Sequence, residues 1–187
     1  MNISRQEFGE PNVRVKGKVR DFMCEATRAF IGLSPFLVLA TSDGDGNCDA
    51  SPRGGKPGFV KVIDEKRLLL PDIAGNKLFQ SMENIGANPK AGLVFMIPGS
   101  DVTFRINGRA RRVTKSDSFL DGIDVEAFFA DDNTRILQGI LIDVDQSYIH
   151  CPRAFLFSEL WNTETIADNQ AADATAAWGR RWRKTFD

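Results

Sequence analysis

A stripe of apolar side chains over residues 18–33 marks the first regular element of the chain. Its members are Val19, Phe22, Met23, Ala26, Phe30 and Ile31. They recur with a period near 3.6, which predicts an amphipathic helix. Ser34-Pro35 is expected to end this helix, because proline disfavours helical backbone in the residue before it. The same spacing predicts further helices over residues 76–86 and 117–130.

From residue 36 onward, short apolar or alternating runs bounded by turn residues predict strands. The predicted strands are 36–41, 59–63, 67–70, 91–97, 102–107 with a continuation over 110–113, and 136–148. Glycines in Asp43-Gly44-Asp45-Gly46 suit a tight hairpin, and Pro71 is expected to stop the strand before it. Because strands and helices do not alternate regularly, we expect a mainly β fold: an antiparallel barrel of six to seven strands with peripheral helices.

The patterning predicts one main domain over residues 1–165, with an N-terminal arm over 1–17. Residues 166–187 differ in composition, being Ala-rich and polar and then rich in Arg and Trp. We therefore expect them to form a C-terminal appendage. Four cations interleaved with tryptophans are a weak basis for nucleic-acid or membrane binding, and packing on a partner subunit or fraying accounts for them better.

Composition excludes several kinds of chemistry. Among 187 residues there are 24 basic and 25 acidic side chains, one histidine and three scattered cysteines. Balanced charge gives no overall attraction to nucleic acid or anionic membranes. The cysteines are too scattered to suggest a disulfide framework, and their spacing relative to His150 does not match that of zinc ligands. The N-terminus lacks an apolar signal region, so we expect a cytoplasmic protein that binds neither membrane nor nucleic acid.

The Asp43-x-Asp45-x-Asn47 pattern invites comparison with a calcium loop. Such a loop needs Gly at its sixth position and Glu at its twelfth, where this chain has Cys48 and Gly54. A hairpin turn explains these residues better. No metal site is predicted.

Two clusters are candidates for holding an anion. Residues 51–58, SPRGGKPG, form a Gly-rich stretch with two cations between predicted strands. Gly75-Asn76-Lys77 follows a predicted strand at the start of a predicted helix. Backbone N–H groups at a helix N-terminus attract anions, and Arg and Lys add charge-assisted hydrogen bonds. Each cluster alone also suits an exposed turn, but together they predict a phosphate site.

The order of segments resembles the pyridoxamine 5'-phosphate oxidase-like family of FMN-binding split barrels. The segments are FLVLATSDGDGNCDASPRGG, GFVKVIDEKRLLLPD, GNKLFQSMENIGANPKAGLVFMIPG and FRINGRARRV. The resemblance spans roughly residues 30–161. It implies a split-barrel flavin-binding domain with FMN as the cofactor.

The resemblance implies roles for particular residues. Arg53, in its Ser51-Pro52-Arg53 segment, matches an arginine that reaches the FMN phosphate, and Asn76 and Lys77, after Gly75, match an Arg-Lys phosphate pair. Asn76 departs from that pair and lowers the positive charge. Further matches that imply flavin contact are Lys61, Pro71, Thr103 and Trp161.

Among these, Thr103 takes the position of a glutamine that bonds the flavin ring. Trp161 matches an aromatic residue supplied by the second subunit of a homodimer, with the flavin at the interface.

The implied activity is FMN-dependent oxidation or reduction of a small organic substrate, with no catalytic side chain assigned. An Arg-x-His pattern near the C-terminus, which pyridoxamine phosphate would use, is missing. We therefore expect a different substrate. Three alternatives stay open: a flavin-binding protein without turnover, a haem-binding protein that would depend on His150, and a deazaflavin-dependent reductase on the same fold.

Overall fold

The computed structural model describes residues 3–73, 78–114, 116–117, 136–172 and 174–184. The chain divides into two compact units. The first comprises residues 1–97 and 103–150, and the second comprises residues 98–102 and 151–187. The expected domain boundary at residue 165 stays a prediction.

Within the described ranges, seven strands of the first unit form one antiparallel sheet in the order β2-β1-β5-β6-β7-β4-β3. Its strands are β1 (Phe36–Ser42), β2 (Cys48–Gly54), β3 (Lys61–Val62), β4 (Arg67–Ile73), β5 (Lys90–Met96), β6 (Thr103–Val113) and β7 (Ile136–His150). The sheet is barrel-like and unclosed. This confirms the predicted mainly β, antiparallel barrel with peripheral helices.

Within the described ranges, four helices belong to the first unit, and three helices make up most of the second. The first unit carries α1 (Ile3–Phe8), α2 (Val13–Lys16), α3 (Glu25–Leu33) and α4 (Gln80–Ala87). The second carries α5 (Arg153–Ser158), α6 (Thr163–Ala171) and α7 (Ala174–Arg183). Residues 117–130, predicted to be helical, lie almost entirely outside the described residues.

The two faces of the sheet have different neighbours. One face, here called the inner face, carries the main apolar core, in which Leu37, Leu39, Phe95 and Ile106 are fully buried. The opposite face, the outer face, buries a smaller cluster of Leu69, Val113 and Leu141. Because cross-strand partners share a face, the register assigns every strand residue to one of these two environments.

The helix predicted from residue 18 begins only at Glu25, so that prediction is wrong for its first part. Arg20 instead forms a β-bridge to Ser147 of β7, with N···O distances of 3.0 and 2.7 Å. Met23 N–H donates to Glu65 O at 2.8 Å. These long-range hydrogen bonds use the backbone groups that a helix would need, so tertiary pairing overrides the local apolar spacing.

The larger differences between predicted and observed strands concern β2, β3 and β4. The Gly-rich segment 51–58 is expected to lie between strands, yet its first four residues belong to β2, an edge strand where Pro52 costs no ladder hydrogen bond. The strand predicted over 59–63 is limited to β3. Pro71 does not end β4, which continues to Ile73. It is tolerated because β3 pairs only with Leu68 and Leu69, leaving that side of Pro71 without a partner strand.

The helix predicted over 76–86 begins later, at Gln80. Phe79 precedes it with φ of 50°, the left-handed region, which interrupts helical geometry. Asn84 then donates its amide hydrogen to Thr41 Oγ1 at 3.0 Å. Both side chains are buried, so this bond fixes α4 on the inner face of β1.

Candidate functional site

Ser51 and Arg53 lie together on the inner face of β2, as their alternate positions on one strand require. Arg53 Nη1 donates to Ser51 Oγ at 2.6 Å, and the same nitrogen lies 3.3 Å from Pro52 O. Arg53 is half-buried. The guanidinium is therefore held in one orientation rather than extended into solvent.

Ser81, near the start of α4, completes this arrangement. Arg53 Nη2 donates to Ser81 Oγ at 3.1 Å, and the Ser81 hydroxyl donates its hydrogen to Asp49 Oδ2 at 3.2 Å. A hydroxyl has one hydrogen and two acceptor lone pairs. By accepting that hydrogen, Asp49 orients the Ser81 oxygen toward Arg53, so four polar side chains connect β2 to α4. We call Asp49, Ser51, Arg53 and Ser81 the Arg53 cluster.

The N-terminus of α4 adds a second source of positive potential at this place. Phe79, its N-cap residue, offers no side-chain acceptor to the first helical N–H groups. Such N–H groups and the helix dipole favour an anion. The Arg53 cluster therefore combines a fixed guanidinium with the first turn of a helix, an arrangement that can bind a phosphate.

Gly75, Asn76 and Lys77, the second predicted anion cluster, lie outside the described residues. In the sequence they fall between the end of β4 at Ile73 and the start of α4 at Gln80. Their predicted contact with a phosphate stays a prediction.

Lys61, Pro71 and Thr103 lie on the outer face, opposite to Arg53. Lys61 pairs with Leu69, and Pro71 follows Leu69 by two positions on β4. Thr103, which is buried, pairs with Met96, and Met96 pairs with Phe36. Phe36 precedes the inner-face residue Leu37 on β1, so it and its partners lie on the outer face. The structure therefore groups Ser51 with Arg53 but does not place either of them beside these three residues.

Arg53 and Thr103 nevertheless lie near the same end of the sheet. Arg53 of β2 pairs with Leu37 of β1, and Leu37 also pairs with Phe95 of β5. Phe95 in turn pairs with Phe104 of β6, which is adjacent to Thr103. Three strand spacings separate β2 from β6, which is about 14 Å at the usual spacing. One small ligand could touch both residues of a single protomer only by passing around the sheet end.

Trp161 belongs to the second unit, where its position is well fixed. Its indole Nε1–H donates to Ser100 O at 2.9 Å, and its ring stacks on Phe155 with centroids 5.9 Å apart and planes inclined by 14°.

Other candidate groups are isolated. His150 is exposed at the end of β7, and the three cysteines are free thiols. Among the described residues, no group of three His, Cys, Asp or Glu side chains could hold a metal ion. No helix in the described part of the chain is long and apolar enough to cross a membrane.

Sequence inspection identified Ser51 and Arg53 but missed Asp49 and Ser81. Asp49 shares the alternation of Ser51 and Arg53 along β2, so recognising that strand would have found it. Ser81 lies 28 positions beyond Arg53. No pattern in the sequence predicts that contact, which depends on how α4 packs.

The unclosed antiparallel barrel and its edge-strand site define the chain as a split-barrel protein. A family profile described as pyridoxamine 5'-phosphate oxidase matches residues 23–137, and the chain belongs to this family. The resemblance drawn from the sequence is thereby confirmed.

One solved structure is similar to this chain in its fold. A Lactobacillus delbrueckii protein, named as a candidate pyridoxamine 5'-phosphate oxidase, is 19% identical, with 69% of this chain and 95% of that one covered and a TM-score of 0.51. At this identity the likeness concerns the fold alone.

Two further structures are similar at lower scores. HupZ from Group A Streptococcus is 17% identical, covering 66% of this chain and 90% of that one, with a TM-score of 0.47. An FMN-binding protein from Syntrophomonas wolfei is 11% identical, covering 66% and 83%, with a TM-score of 0.46. No curated protein matches the chain significantly.

Proposed function

We propose that this protein is a cytoplasmic, homodimeric FMN-dependent oxidoreductase acting on a small organic substrate. The observation that carries the proposal is the Arg53 cluster at the start of α4. Membership of the pyridoxamine 5'-phosphate oxidase family supports a flavin as the ligand, and the phosphate of FMN is the anion that such a cluster fits.

In this proposal Arg53 binds the phosphate, with Ser51 and Ser81 holding its guanidinium in place. Lys77 and Asn76 contribute to the same phosphate from the segment before α4, together with Gly75. FMN, when bound, supplies the redox chemistry. The chain therefore needs fixed cations and hydrogen-bond donors rather than acid–base side chains, which fits the presence of a single exposed histidine.

The remaining predicted contacts fit a site shared by two protomers. Arg53 lies on the inner face, whereas Lys61, Pro71 and Thr103 lie on the outer face. Trp161 was expected from the partner subunit. Residues on opposite faces can meet one flavin when two copies of the chain each contribute a face, so the proposed homodimer and the proposed FMN site depend on each other.

The test is titration of the purified protein with FMN and, separately, with riboflavin, followed by flavin fluorescence. Arg53→Ala should weaken FMN binding by about tenfold to a hundredfold, as expected for a charge-assisted hydrogen bond to phosphate. Riboflavin lacks the phosphate, so its affinity should change little. Arg109→Ala removes an exposed arginine elsewhere and is the matched control.

Two results would contradict the phosphate role: equal losses for FMN and riboflavin, or an unchanged FMN affinity in Arg53→Ala. The mass of the chromophore released from purified protein separates FMN from deazaflavin and haem. Reduction of bound flavin by NADH or NADPH, followed by reoxidation, separates an enzyme from a flavin-binding protein without turnover.

A further inference from the structure

The second unit contains a cavity of about 320 Å³ that is open to solvent. Two aromatic side chains, Phe155 and Trp161, and two carboxylates, Asp101 and Glu159, line it. The two carboxylates are the charged side chains of this lining, and no lysine or arginine is part of it. All of these residues belong to the same compact unit.

The aromatic wall is held in place by packing and hydrogen bonding. Trp161 stacks on Phe155, and its indole N–H is used by Ser100 O at 2.9 Å. The ring therefore cannot turn that N–H toward a ligand without losing the bond. What Trp161 offers to the cavity is apolar and π surface, which attracts cations.

The two carboxylates supply the opposite charge for such a cation. Glu159 follows α5 with φ of 50°, and its Oε2 accepts a hydrogen bond from Thr165 Oγ1 at 3.3 Å. Within the described ranges, neither Asp101 nor Glu159 forms an ion pair. In the part of the chain that the structure describes, no ion pair therefore neutralises the two carboxylates of the cavity.

We propose that this cavity binds a small organic cation, such as a quaternary or protonated amine. An anion would be repelled by both carboxylates. A hard metal ion prefers a shell of oxygen ligands, whereas this lining offers two carboxylates beside aromatic rings. A diffuse ammonium charge interacts favourably with both carboxylates and π faces.

The cavity lies wholly within the second unit, so the binding site stands whether or not FMN binds. Trp161 is also the aromatic residue proposed to face the flavin of the partner. If Trp161 also faces the flavin, a small organic cation is the class of substrate that the flavin would oxidise or reduce. This assignment of the substrate rests on the proposed function.

The test uses choline as the cationic probe on the full-length protein without FMN. The chain has three tryptophans, and the indole N–H signal of Trp161 is assigned in NMR spectra by its loss in Trp161→Phe. Choline should shift this signal saturably. Dimethylbutanol, the neutral carbon isostere of choline, should bind about threefold to tenfold more weakly, since it lacks the charge.

Variants separate the cavity from general charge effects. Glu159→Gln and Asp101→Asn should each weaken choline binding about threefold to tenfold, and the double variant should abolish the saturable shift. Glu164→Gln removes a carboxylate of the same unit that does not line the cavity. The choline affinity of this variant should therefore match that of the wild-type protein.

Equal binding of choline and dimethylbutanol would overturn the proposal. So would an unshifted Trp161 signal, or a double variant that binds as wild type does. Because FMN is absent, these results do not depend on the flavin titration, and either proposal can fail alone.

Discussion

Asp64 stabilises the turn between β3 and β4 through a dense set of hydrogen bonds. Arg67 donates from Nε and Nη2 to Asp64 Oδ2 at 2.7 and 2.6 Å, and Lys66 N–H donates to Oδ1 at 2.8 Å. The bonds from Arg67, ahead of that from Lys66, lower the pKa of Asp64 below 3.8. A lowered pKa means that the ionised carboxylate is favoured in the folded state.

This contribution to stability is present above the ordinary aspartate pKa and is lost as pH falls through the lowered value of the folded protein. Near neutral pH, Asp64→Asn should reduce the free energy of unfolding by about 0.5–1 kcal/mol, because the pair is partly exposed. The deficit relative to wild type should shrink on acidification toward about pH 2. Urea denaturation of both proteins at several pH values measures the difference between their free energies of unfolding.

Glu65→Gln is the matched control for Asp64→Asn. Glu65 is exposed in the same turn, and its substitution should leave stability nearly unchanged at neutral pH. A deficit in Asp64→Asn that persists unchanged in acid would show that the carboxylate charge does not cause it.

The Arg53 cluster shows how far single residues could be predicted. Arg53 and Ser51 are two positions apart, so their proximity follows from the sequence once a strand is assumed. Ser81 reaches them because the Asn84–Thr41 hydrogen bond and apolar packing bring α4 onto β1. Contacts of this kind depend on tertiary packing, which no local pattern encodes.

At the scale of elements, the pairing of β6 with β7 depends on Gly108. The register shifts between Asn107 and Gly108, leaving Asp145 of β7 without a directly opposed residue. A Cβ atom on Gly108 would lie 2.1 Å from the backbone O of Asp143 and 3.3 Å from Ile142 Cγ2. Backbone cannot move out of the way as a flexible side chain could, so this bulge requires glycine.

Gly108→Ala should therefore lower the free energy of unfolding by at least about 2 kcal/mol. Gly32→Ala gives the matched comparison, because a Cβ there, within α3, meets no atom within 4 Å. That variant should be more stable by about 0.5–1 kcal/mol, since alanine favours helix. Thermal and urea unfolding measure both. Similar stabilities for the two variants would contradict the importance of the bulge.

The elements predicted best are those with continuous apolar runs. The strands predicted over 36–41 and 91–97 differ from β1 and β5 by at most one residue at any boundary, because burial of alternate residues dominates there. The start of α3 and the length of β4 were missed for one shared reason. Backbone pairing with a distant segment determines each of them. Arg20 pairs with Ser147, which delays the start of α3, and Pro71 pairs with Gly139, which extends β4.

At the scale of the whole molecule, the outer face of the sheet has an apolar region that suits the proposed dimer. Phe36 pairs with Met96, and Val38 pairs with Val94, across β1 and β5. Phe36 is exposed and the other three are half-buried. Burying neighbouring apolar side chains against a second copy removes them from water, which favours association.

Val38→Glu places a charge in the middle of this region and should convert the dimer to a monomer, measured by light scattering coupled to size-exclusion chromatography. Leu33→Glu introduces the same charge at an exposed leucine of α3 and should leave the dimer intact. Because Arg53 and Thr103 lie on opposite faces of one protomer, a flavin that contacts both must either pass around the sheet end or lie between two protomers, as proposed here. The monomeric variant should therefore also bind FMN more weakly. A Val38→Glu protein that stays dimeric would show that this face is not the dimer interface. A monomer with full FMN affinity would show that the flavin site does not need a second protomer.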